Sequence, residues 1–60
     1  MTFTQALAKY TAHQRDNGVR GELPYISEKH SKTNGEGAWL LCDSFGDRVA
    51  LVDQYGVHGV

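Results

Sequence analysis

One thiol, three imidazoles and seven carboxylates are the groups of this chain best suited to chemistry, and their spacing limits what they can do. Cys42 would be the nucleophile of any covalent mechanism, with His and Asp partners. It sits, however, at the end of the apolar run Ala38–Cys42, where a thiol behaves as a small hydrophobe. Catalysis would need His13, His30 or His58 to reach the thiol, and no local signature brings one there. The same histidines, with Asp43, Asp47 or Asp53, are the only candidates for a metal site. They stand 17 and 28 residues apart in three different segments, which is not metal-ligand spacing. The glycine-rich fragments Gly35-Glu36-Gly37 and Gly56–Gly59 lack the lysine and the following helix of a phosphate-binding loop, and read as turns. We therefore assign no catalytic residue, no cofactor and no metal, and expect a protein that is not an enzyme.

Binding chemistry is better represented. Lys29-His30-Ser31-Lys32 is a short polar, basic stretch, with Arg20 and Tyr25 nearby. Cations with an aromatic residue on a sheet suit a nucleic-acid backbone and its bases. Six Lys and Arg against seven Asp and Glu give a net charge of −1, which supplies little attraction for phosphates. Nucleic acid is thus the weaker of two partner classes, the other being a protein. The charge is uneven along the chain: five of the six cations precede residue 34, while Glu36, Asp43, Asp47 and Asp53 follow it.

Sixty residues make a single domain, residues 1–60. A chain of this size buries only about 60% of its unfolded surface. It gains seldom more than ~3–5 kcal/mol without a staple or a partner. One cysteine permits no internal disulfide. Met1 leads into Thr2-Phe3-Thr4 without a basic, then apolar, leader, and the longest apolar run is far short of the ~20 residues a membrane span needs. The lone thiol and the lack of an export signal lead us to expect a cytoplasmic protein with no membrane contact.

The elements that must position these groups are few. Residues 2–17 read as an amphipathic helix, with Thr2 as N-cap and Gln5 as its capping-box partner. Phe3, Ala6, Leu7 and Tyr10 share one face, and Asn17-Gly18 ends it. Residues 23–28 (LPYISE) read as a first strand, with Pro24 at its start or at a sheet edge. For residues 29–37 two readings stand: the strand continues to a tight turn at Asn34-Gly35, or the segment is a mobile loop. Residues 38–43 and 48–55 form the central hairpin around Ser44–Asp47. In symmetric register Asp43 faces Arg48, Leu40 faces Leu51 and Trp39 faces Val52. A bulge at Gly46 would slip this pairing by one. After Tyr55 the pattern dissolves into a frayed tail, with Val57 and Val60 left to dock locally. The expected fold class is α+β, a helix packed on a small three-stranded antiparallel sheet in the order α-β-β-β.

Both faces of that hairpin are apolar. Leu40, Cys42, Val49 and Leu51 occupy one, and Trp39, Leu41, Ala50 and Val52 the other. One short helix roofs one face. We expect it on the aliphatic face, against Phe3, Leu7 and Tyr10, which leaves Trp39, Leu41 and Val52 facing outward; the alternative is a helix on the other side, with Trp39 as the main core residue. Contiguous exposed apolar area marks interaction sites, and Trp is favoured there. The expected partner-binding residues are therefore Trp39, Leu41 and Val52, or the segment holding Lys29, His30 and Lys32. The occupant would be a larger protein or, through the same sheet face across a two-fold axis, a second copy in a homodimer. In size and style the chain is similar to small phage-encoded inhibitors, anti-CRISPR proteins among them. That likeness implies a non-enzymatic module that inhibits a larger protein by docking on it. The alternative is a small nucleic-acid-binding regulator using Arg20, Tyr25, Lys29 and Lys32.

Overall fold

A computed structural model describes residues 1–35 and 37–59. Glu36 and Val60, the latter expected to dock beside Val57, lie outside the described residues. The chain forms one helix, α1 (Phe3–Asp16), followed by four strands: β1 (Ser27–Thr33), β2 (Trp39–Cys42), β3 (Arg48–Asp53) and β4 (Gly56–Gly59). The strands make one antiparallel sheet in the order β1-β2-β3-β4. The fold is α+β, with four strands where the sequence led us to expect three.

The helix forms as its sequence directs. The Gln5 amide donates to Thr2 Oγ1 at 3.1 Å, and Gln5 Oε1 accepts from the Thr2 amide at 2.8 Å, completing the capping box. At the other end Gly18 N–H donates to the Arg15 carbonyl and Val19 N–H to that of Gln14. These two bonds satisfy carbonyls that the last turn leaves open. Ala6 and Tyr10 are buried, with Phe3 and Leu7 half-buried beside them.

The strands depart from expectation at both sheet edges. The first strand is not residues 23–28 but the polar segment 27–33, so the segment left open between strand and loop is mostly strand. Leu23 and Ile26 instead tuck into the core from the connector. Pro24, with no amide proton, suits that connector better than a ladder. The tail beyond Tyr55 is a fourth strand. It is turned back by Asp53, whose Oδ1 accepts from the amides of Tyr55 (2.8 Å) and Gly56 (3.1 Å).

Helix placement is the main correction. The rows across the sheet alternate in facing. Thr33, Trp39, Val52 and Val57 are successive cross-strand partners, as are Lys32, Leu40, Leu51 and His58. The helix lies on the Trp39 side: Leu41 and Val52 are 0% exposed and cluster with Ala6, Tyr10, Ile26 and Ala50. Trp39 is half-buried at the start of the helix. Its ring meets Phe3 edge-on with centroids 5.6 Å apart, and its Nε1–H donates to the Met1 carbonyl at 2.9 Å. An indole fills more of the space beneath a helix than an aliphatic pair does and still finds a partner for its N–H. Fully burying each of Leu41 and Val52 stabilises by ~1.5–3 kcal/mol. Leu41 and Val52 are therefore core, not partner-binding residues. The helix already covers the Trp39 face, so a second copy packed there would have to displace it.

Candidate functional site

The sheet face opposite the helix holds a half-open hollow of about 390 Å³, lined by Lys29, His30, Lys32, Leu40, Cys42, Gly46 and Arg48. Two register slips shape it. On one side, four residues of β1 between Ser27 and Lys32 stand against the single Leu41 of β2. In a regular strand Lys29 and Lys32 would point to opposite faces; the bulge brings both to the hollow. A bulge that re-aims side chains needs other partners for the ladder bonds it displaces. Ser31, itself buried, supplies them: its hydroxyl donates to the Ser27 carbonyl at 2.6 Å and accepts from the Cys42 amide at 2.9 Å. Ser27 Oγ shares a hydrogen bond with His30 Nδ1 at 2.9 Å, which fixes the imidazole ring.

The second slip lies between β2 and β3. Trp39, Leu40 and Leu41 pair with Val52, Leu51 and Ala50 as symmetric register requires, but Cys42 pairs with Arg48 and Val49 is the extra residue. The cause is the turn. Asp43 Oδ1 accepts from the amides of Phe45 and Asp47, both at 2.9 Å, and the Gly46 amide donates to the Asp43 carbonyl. Gly46 has φ +85°, a conformation costly for any residue with a Cβ. The loop is thus three residues, closed by Asp43 and Asp47, rather than the symmetric four. Asp43 spends its carboxylate on the turn instead of facing Arg48. Arg48 moves opposite Cys42 and onto the hollow.

Of the residues expected to meet a partner, the structure brings Lys29, His30 and Lys32 together here and removes Leu41 and Val52 to the interior. Arg48, Leu40, Cys42 and Gly46 are additions. The turn sequence Asp43-Ser44-Phe45-Gly46 was the signal for Arg48, since an aspartate that caps a turn is withdrawn from cross-strand pairing. Tyr25 and Phe45 are exposed but do not line the hollow. Cys42 is 4% exposed, and its Sγ lies 3.9 Å from the Leu40 carbonyl. It shares the hollow with His30, and no hydrogen bond joins the two among the described residues.

Charge in the hollow is one-sided. Lys29, Lys32 and Arg48 line it with His30, and among the described residues no carboxylate does. None of the three cations has an ion-pair partner among the described residues. The one pair present, His58 Nε2 to Asp53 Oδ1 at 3.2 Å, joins β4 to the end of β3. Desolvation pushes the Asp53 carboxyl up. The Tyr55 amide, His58 and the Gly56 amide together outweigh it and hold the group below the ordinary carboxylate value. Among the described residues no three His, Cys, Asp or Glu side chains gather to hold a metal ion, and no helix is long and apolar enough to cross a membrane. A cluster of cations of this kind suits recognition of an anion. Comparison with protein-family models, with curated proteins and with solved structures found no match to the chain.

Proposed function

We propose that this chain is a non-enzymatic binding module that docks its helix-free sheet face on an acidic surface of a larger protein and inhibits it by occupancy. One observation carries the reading: half-buried Leu40 and Leu51 lie side by side on that face, and Lys29, Lys32 and Arg48 stand around Leu40 with no carboxylate among the described lining residues. An apolar centre with a charged margin is the anatomy of a protein interface. The one-sided charge favours an acidic counterpart and suppresses others. This replaces the Trp39 surface expected from the sequence with its opposite.

The test is co-purification from lysate of the source cells with the wild-type chain and with the double variant Lys32→Glu, Arg48→Glu. Both substituted residues are exposed, so circular dichroism should show an unchanged helix. The expected outcome is a partner retained by the wild type and lost by the variant. A partner held equally by both overturns the reading. Salt-sensitive binding of generic single-stranded DNA or RNA by the wild type, with no protein partner, replaces it with the nucleic-acid regulator.

A further inference from the structure

The hollow is more specialised than a generally basic face needs. This chain carries more acid than base, yet three of its six Lys and Arg residues converge on one cavity. Three cations side by side repel one another, and among the described residues no carboxylate lines the cavity to relieve them. Both irregularities of the sheet contribute to that crowding. The β1 bulge brings Lys29 to the face of Lys32, and the slip at Val49 takes Arg48 from Asp43 to the cavity. Without either slip the cluster would lose a cation.

From this convergence we infer that the hollow receives a phosphoryl dianion displayed on the docked partner, that is, a phosphorylated serine or threonine side chain. The inference rests on the docking reading above and names the chemistry of its centre. An aspartate or glutamate brings one charge and two oxygens. A phosphoryl group brings nearly two charges and three acceptor oxygens, which matches three cations better. Arg48 has the planar fork that grips two of those oxygens at once, and Lys29 and Lys32 serve as point charges. His30, its Nδ1 held by Ser27, has a second ring nitrogen with no partner among the described residues. Leu40 forms an apolar floor for the carbon stem. A cavity of about 390 Å³ has room for such a side chain and its neighbours. A nucleic-acid strand fits less well. It repeats its charge along its length and needs a track of cations, whereas outside the hollow the described residues hold three cations against six carboxylates.

The experiment follows backbone and Arg side-chain NMR signals of the whole chain during titration with four probes. These are a short leucine-containing peptide with one phosphoserine, the same peptide unphosphorylated, inorganic phosphate, and a single-stranded oligonucleotide. The phosphopeptide should shift Lys29, His30, Lys32 and Arg48 and bind at least about tenfold more tightly than its unphosphorylated twin, one charge-assisted hydrogen bond being worth that much. Inorganic phosphate should shift the same residues more weakly. Arg48→Lys, which keeps the charge and loses the fork, should weaken the phosphopeptide by a similar factor. Equal affinity for the two peptides overturns the inference, as does tighter binding of the oligonucleotide, or shifts confined to residues outside the hollow. The two readings fail separately. If the lysate partner is lost by the charge-reversal variant but ignores phosphatase treatment, this inference falls and docking stands. If the phosphopeptide binds but no partner depends on the face, docking falls.

Discussion

Ser31 is a polar side chain with almost no exposure, and its hydroxyl does the work of a missing ladder bond. It connects the Ser27 carbonyl to the Cys42 amide across the β1 bulge. Replacing it with alanine leaves the Cys42 N–H buried without a partner, a loss of about 1–3 kcal/mol. In a domain whose whole margin is ~3–5 kcal/mol, Ser31→Ala should lower the urea midpoint strongly. An unchanged midpoint would show that water replaces the hydroxyl. Nothing in the sequence marked Ser31 as structural, because serine between a histidine and a lysine in a polar stretch reads as solvent-facing. Trp39 went the other way. Its type suggested an interface, but its N–H bond to the Met1 carbonyl and its edge contact with Phe3 make it the seam between helix and sheet.

At the scale of elements, two turns repeat one device. Asp43-Ser44-Phe45-Gly46 and Asp53-Gln54-Tyr55-Gly56 each place an aspartate whose Oδ1 accepts two forward amides. Each ends in a glycine of positive φ and leaves its aromatic ring in solvent, Phe45 at 87% and Tyr55 at 83% exposure. The repeat was present in the sequence and announces β4, which its two glycines otherwise disguise as a frayed end. It also yields a pH prediction. The Asp53 carboxyl is held below its ordinary value. Its contribution is therefore complete above the unfolded carboxylate pKa and is lost as pH falls through the folded one. The amide signals of Tyr55 and Gly56 should hold steady from neutrality down to about pH 4 and move together below it. Asp53→Asn should abolish that inflection. Signals that show no inflection below that pH would overturn the assignment to Asp53.

For the molecule as a whole, the helix decides which face of the sheet stays uncovered. Two copies placed face to face through Leu40 and Leu51 would press Lys29, Lys32 and Arg48 of one against those of the other. Like charges that close oppose association. We expect a monomer of 6.6 kDa by sedimentation at low salt. A stable low-salt dimer protecting Leu40 and Leu51 would overturn this picture of the face.

The sequence by itself determined the features that local chemistry controls. Thr2 and Gln5 fixed where the helix begins, the spacing of Phe3, Ala6, Leu7 and Tyr10 fixed its inward side, and the alternation from Trp39 to Val52 fixed a hairpin with two apolar faces. The polar, basic character of Lys29–Lys32 was legible too. Which apolar face the helix covers was left to long-range packing, because the two sets are similarly hydrophobic and the choice depends on how Leu41, Val52 and Trp39 fit together against the helix. The tertiary structure likewise decided that Arg48 joins Lys29 and Lys32. Strand register depends on a balance between turn geometry and side-chain burial across separate segments, and no window of adjacent residues contains that balance.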